Sequence, residues 1–93
     1  MIKRISMWLL NNKSDALKME KMLRSMEGKV PSLYSIEVGV NTSSHKSAFD
    51  IVFIGVFSSA DKLAEFEEDS FHKTIGEEVS KLTLKRVVVE CEI

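Results

Sequence analysis

One stretch, residues 49–57, constrains the fold of this 93-residue chain more than any other. It is apolar at almost every position and rich in β-branched and aromatic residues, which favours a pleated strand over a helix. Side chains alternate along a strand, and here both alternating rows are apolar. The rows are Phe49, Ile51, Phe53 and Phe57 on one side, and Val52, Ile54 and Val56 on the other. Such a strand needs cover on both sides, and helices in a small domain can cover only one.

The rest of the chain predicts three further strands and two helical regions. Ser14, Ser59 and Asp69 are candidate N-caps, while Gly28 and Pro31 are typical of a helix end. The apolar spacing after Asp69 predicts a fresh helix, so the second helical region is expected in two pieces with a kink. The predicted strands are 2–10, 34–40, 48–57 and 83–93, and the predicted helices are 14–27, 60–68 and 70–81.

The order β-α-β-β-α-β predicts a single ferredoxin-like α+β domain over residues 1–93. Its four-stranded antiparallel sheet would carry both helices on one face and leave the other face apolar. An uncovered apolar face of this size is typical of a partner or ligand surface, and two such sheets can pack face to face. We therefore expect a homodimer, with Phe49, Ile51 and Phe53 at its interface. Which sheet face the partner uses is left open by the pattern.

Composition excludes several classes of function. A formal net charge of −1 gives no basic surface for nucleic acid and no polybasic segment for a membrane, and no apolar run is long enough to span one. Residues 1–10 are basic and then apolar, but too short for a signal peptide, so we expect a strand there and a cytoplasmic protein. The single cysteine, Cys91, forms no intramolecular disulfide and is expected to be a buried, inert thiol. No metal-ligand spacing, phosphate loop or Cys-x-x-Cys is present, so we expect neither a metal nor a cofactor.

Several segments, taken in order, resemble the stress-responsive α/β-barrel family, also called Dabb domains. They are Met1-Ile2-Lys3-x-Ile5 with Trp8 and Leu10, Gly28-Lys29-Val30-Pro31-x-Leu33 followed by Ser35 to Asn41, Phe57-x-Ser59, the segment around His72, and Arg86-Val87-Val88-Val89-x-x-x-Ile93. The resemblance covers nearly the whole chain and implies a dimeric α+β barrel. A second copy of the sheet would then cover the second apolar face.

The resemblance also implies a pocket between sheet and helices. Members of the family include a plant polyketide cyclase in which a strand-one histidine and a helix histidine act as an acid/base pair, assisted by a tyrosine. Here Arg4 replaces the first histidine and Phe66 the tyrosine, so only His72 of the pair is present. The candidate ligand-binding residues are Arg4, Ser6, Trp8, Phe66 and His72, and the candidate catalytic residue is His72.

Each candidate has a plainer interpretation. His72 can be a first-turn histidine with no task, and Arg4 can form an ordinary ion pair with a glutamate such as Glu90. Three hypotheses follow: a homodimeric module that binds a small apolar or aromatic ligand, a cofactor-independent cyclase-, isomerase- or monooxygenase-like enzyme using His72, and a stress-related structural protein with no ligand.

Overall fold

The computed structural model describes all 93 residues and has the predicted order of strands and helices. Its elements are β1 (Ile2–Leu10), α1 (Ala16–Arg24), β2 (Ser35–Val40), β3 (Ile51–Phe57), α2 (Ala60–Glu68), α3 (Ser70–Leu82) and β4 (Thr83–Glu92). The strands form one sheet in the order β2-β3-β1-β4, and every neighbouring pair is antiparallel. The ferredoxin-like α+β fold is therefore confirmed, with β1 and β3 at the centre of the sheet.

The helix boundaries follow the cap residues in the second half of the chain. The Ser59 hydroxyl accepts the backbone N–H of Lys62 at 3.2 Å, and the Asp69 carboxylate accepts that of His72 at 3.0 Å. These two caps begin α2 and α3 where the sequence predicts them. Because Asp69 is itself extended, it separates the two helices and produces the expected kink.

The first helix is shorter than predicted at both ends. Lys13–Asp15 forms a separate 3₁₀ turn, so Ser14 lies inside that turn and caps nothing. At the other end α1 stops at Arg24, and turns lead to Gly28, whose φ of 78° is the left-handed conformation expected of it.

All the helices cover the same face of the sheet. On β3 the alternate residues Ile51, Phe53 and Phe57 are buried beneath them, while the row between these residues is only half-buried. The strand registers place the same alternation on the neighbouring strands. We call the uncovered side the open sheet face; its apolar side chains are Ile5, Met7, Val52, Ile54, Val56, Val87, Val89 and Cys91.

This arrangement corrects two expectations. Ile51 and Phe53 are 2% and 3% exposed within a single chain, because the row with the aromatic rings packs under the helices, so neither can contact a partner across the open sheet face. Phe49 precedes β3 and is half-buried beside Met7 and Val52, at the margin of that face. Cys91 is exposed rather than buried, because its side of β4 carries no helix.

No helix of the structure combines the length and apolar character needed to cross a membrane.

Candidate functional site

A cavity of about 300 Å³ lies between the sheet and α3. Its floor is the helix-facing side of β1 and β4, and its roof is one side of α3, with contributions from α1 and α2. The apolar part of its lining includes Trp8, Phe53, Phe66, Ile75 and Val79, and the polar part is Arg4, Ser6, His72, Ser80, Thr83 and Arg86. Small-molecule sites typically have volumes from about 300 Å³ upward, with mostly apolar walls and a few convergent polar groups.

The five sequence-predicted ligand residues all lie on this cavity. Arg4, Ser6 and Trp8 reach it from alternate positions of β1, and Phe66 and His72 reach it from the junction of α2 and α3. Phe66 is 1% exposed and packs at 5.0 Å, centroid to centroid, against Phe57. This rigid aromatic support fixes the wall against which His72 lies.

The His72 imidazole is held in one orientation. Its ring stacks on Phe66 with the centroids 3.7 Å apart, and its Nδ1 lies 2.8 Å from the Phe66 carbonyl oxygen. Because a carbonyl oxygen can only accept, Nδ1 carries the proton in the neutral ring, and Nε2 is left with a free lone pair. Nε2 has no hydrogen-bond partner within the chain.

The pKa of His72 is lowered, chiefly because burial disfavours the charged ring. The Phe66 carbonyl and the charges of Glu67 and Asp69 act in the opposite direction, while Arg4 reinforces the lowering. The imidazole is therefore neutral at physiological pH, with Nε2 as a hydrogen-bond acceptor or a base.

Arg4 occupies the position beside His72 and Phe66 on the cavity floor. Its guanidinium donates to Glu67 and, at 3.1 Å, to Glu90, and its side chain is only 12% exposed. The guanidinium carbon lies 5.8 Å from the Phe66 ring centroid, within reach of a cation–π contact. The predicted ion pair with Glu90 is thus present, although the Arg4 Nε is buried without a partner.

Arg86 is the charged cavity residue that the sequence prediction missed. It lies opposite Trp8 in the β1–β4 register, and its guanidinium donates to the Ser6 hydroxyl at 3.3 Å, over the Trp8 ring. Burial and the nearby charge of Arg4 lower its pKa, while Glu67 acts in the opposite direction. Strand alternation could have identified Arg86. Arg86 and Glu90 lie on the same face of β4, and Glu90 was already the expected ion-pair partner of Arg4.

Two titratable residues, Asp50 and His45, lie outside the cavity. Asp50 is buried and accepts the Leu10 backbone N–H at 2.8 Å and the Lys13 ammonium at 2.7 Å, so its role is structural. His45 is exposed in the loop before β3. No three histidine, cysteine, aspartate or glutamate side chains come together in a way that could hold a metal ion.

Comparison with solved structures finds the same fold in proteins of very different description. A dimeric protein of unknown function with a ferredoxin-like fold from Bacteroides fragilis is 18% identical, with a TM-score of 0.85 over 99% of this chain and 95% of that one. A hydroxynitrile lyase from Passiflora edulis is 12% identical, with a TM-score of 0.85 over 99% and 92%. An antibiotic biosynthesis monooxygenase is 14% identical, with a TM-score of 0.78 over 100% and 98%. At such identities the likeness shows the fold alone.

No curated protein matches the chain. The family model for the stress responsive A/B barrel domain, Dabb, matches residues 2–93, which is nearly the full length. This chain therefore belongs to the stress-responsive A/B barrel (Dabb) domain family.

Proposed function

We propose that this chain is a homodimeric binding domain that holds a small apolar or aromatic ligand in the cavity between the sheet and α3. The observation that carries the proposal is the cavity itself, which is open rather than filled by side chains. Its lining combines apolar side chains with several convergent polar groups, as is typical of small-molecule sites.

Gly76 adds a second argument. It lies in the middle of α3, where glycine is about 1 kcal/mol less favourable than alanine, and it lines the cavity. A Cβ built at this position would meet no atom within 4 Å. The chain therefore carries an unfavourable helix residue where a side chain would project into free space, which fits a cavity that must stay open.

Gly76→Leu tests the proposal, with Gly76→Ala as its matched control. Both substitutions favour the helix, but only leucine fills the cavity. We expect 2-naphthol to bind the wild type and Gly76→Ala in isothermal titration calorimetry, with a change in the emission of Trp8, the single tryptophan of the chain. Gly76→Leu should fold and fail to bind. Absence of binding to the wild type, or undiminished binding to Gly76→Leu, would overturn the proposal.

The dimer in this proposal forms across the open sheet face. That face is apolar in its centre, with polar side chains such as Lys3, Glu37 and Lys85 beside it. A second copy supplies a surface of the same shape and character, as an isologous two-fold contact requires. The Bacteroides fragilis neighbour, described as dimeric, supports a homodimer.

One observation favours a second candidate, a cofactor-independent enzyme of the cyclase or isomerase kind. His72 is neutral and oriented, and its Nε2 is free to take a proton from a ligand carbon or hydroxyl. The named neighbours that are a lyase and a monooxygenase are consistent with chemistry on this fold.

Deuterium exchange tests this candidate without knowledge of the natural substrate. We expect the wild type to accelerate exchange at the carbon between the two carbonyl groups of 1-phenylbutane-1,3-dione, followed by NMR. His72→Gln keeps a polar side chain of similar reach but removes the base, and should show only the solvent rate. Equal rates for the two proteins would remove His72 from any such mechanism.

A further inference from the structure

Two arginines lie on the floor of the cavity, and they are not equivalent. Arg4 donates to both nearby carboxylates, Glu67 and Glu90. Arg86 has no carboxylate within ion-pair distance, and its one hydrogen bond to the protein is the 3.3 Å contact with the Ser6 hydroxyl. A guanidinium has five N–H donors, so most of those on Arg86 lack a protein acceptor.

Arg86 carries its charge at the edge of the cavity, partly shielded by the protein and partly in solvent. Burial and the charge of Arg4 both lower its pKa, yet a guanidinium stays protonated at any physiological pH. Arg86 is exposed, because the helices leave much of β4 uncovered, so water satisfies the N–H groups that lack a protein acceptor and the residue borders both the cavity and solvent. The charge is thus retained at the cavity without a counter-ion from the chain.

We infer that the cavity accepts an organic anion, a small aromatic or acyl carboxylate whose charged group is bound by Arg86 and whose apolar body lies along Trp8, Ile75 and Val79. This inference deepens the proposed function and rests on the cavity being a binding site. A planar guanidinium pairs with a carboxylate through two parallel hydrogen bonds, which orients as well as attracts the ligand.

Other polar groups of the cavity fit such a ligand. Trp8 lies 5.9 Å, ring centroid to guanidinium carbon, from Arg86 and holds the cation above an apolar surface. His72 is uncharged, so its Nε2 does not compete with Arg86 for the carboxylate and remains an acceptor for a ligand hydroxyl.

The test compares 2-naphthoate with the neutral isostere naphthalene-2-carboxamide by isothermal titration calorimetry. We expect the wild type to bind the acid at least about tenfold more tightly than the amide, and high salt to weaken only the acid. Arg86→Gln should abolish this preference, and Arg86→Lys should restore part of it. Lys81→Gln is the control, because it removes the same charge from an exposed position of α3.

The outcomes separate the inference from the proposed function. Equal affinities for acid and amide in the wild type, with both abolished by Gly76→Leu, would refute the anion and leave the binding cavity intact. A preference that survives in Arg86→Gln would also refute the role of Arg86. If neither compound binds the wild type, the proposed function falls together with the inference.

Discussion

Val52 and Phe53 are neighbours in β3 that lie on opposite sides of the sheet, so substituting each separates the proposed interface from the core. Val52 is half-buried on the open sheet face, between Met7 and Gly39, and Phe53 is buried beneath the helices. We expect Val52→Asp to dissociate the dimer while each chain stays folded. Phe53→Ala should destabilise the fold by about 3–5 kcal/mol without that specific effect on assembly.

The magnitude follows from what each change removes. Burying a valine side chain contributes at least about 1.5 kcal/mol, and leaving a carboxylate unpaired in an apolar contact costs about 2 kcal/mol or more. Two-fold symmetry places each effect twice in the interface, so the dimer loses about 7 kcal/mol, or about five powers of ten in Kd. In an isolated chain the same substitution costs about 1 kcal/mol of strand propensity together with part of the contact that half-buried Val52 makes beside Met7.

Sedimentation velocity and urea unfolding measure the two quantities. The wild type should sediment at twice the 10.5 kDa mass of the chain, and its unfolding midpoint should rise with protein concentration. Val52→Asp should sediment as a single chain with a midpoint independent of concentration. A wild type that is monomeric at all concentrations, or a Val52→Asp variant that remains dimeric, would refute the reasoning.

Two further predictions concern buried charge and protonation. Asp50→Ala leaves the Leu10 N–H without its acceptor and should lower the free energy of unfolding by about 1–3 kcal/mol. Lys13→Ala, at a side chain 79% exposed, should lower it by less than about 1 kcal/mol. Equal losses in urea unfolding would contradict the structural role of the bond between Asp50 and Leu10. Because the folded-state pKa of His72 lies below its ordinary 6.5, its contribution to stability is complete above pH 6.5 and is lost as the pH falls through the folded-state value. NMR should find the His72 ring neutral and protonated on Nδ1 at pH 7. A charged ring at that pH would contradict the lowered pKa, and a neutral ring protonated on Nε2 would contradict the bond from Nδ1 to the Phe66 carbonyl.

The elements of this fold were predictable because periodicity and caps are local properties. Ser59 and Asp69 mark the starts of α2 and α3, and the alternation in β3 shows two apolar rows. The predicted start of α1 was wrong because Ser14 lies in a 3₁₀ turn that precedes the helix. No single side chain in this segment indicates that the backbone forms that turn. Propensity is a weak guide where neighbouring turns compete.

The alternation in β3 could not predict which of its two rows packs under the helices, because both rows are apolar. The aromatic row, with Phe53 and Phe57, packs under the helices, where large rings find neighbours within the same chain. The β-branched row, with Val52 and Ile54, is left on the open sheet face. A strand pattern fixes which residues go together but not which side their group occupies, and that depends on contacts distant in sequence.

Only part of the cavity lining was predictable, because part of it depends on contacts between residues distant in sequence. The resemblance brought Arg4, Phe66 and His72 together, although they come from distant parts of the chain. Arg86 depends on the register between β1 and β4, which sets it opposite Trp8. That register is a property of the assembled sheet, and the spacing of residues in the sequence does not determine which residues of β1 and β4 lie opposite each other.

The same register connects the cavity to the proposed interface. Arg4 and Ser6 face the cavity, and Ile5, between them, faces the open side, so a slip of one residue would move the polar groups of the site onto the outer surface. The buried Asp50 carboxylate opposes such a slip, since it holds the N–H of Leu10 at the end of β1, where the pairing with β4 shifts. A charged group that contacts no part of the cavity therefore helps to determine which side chains the cavity contains.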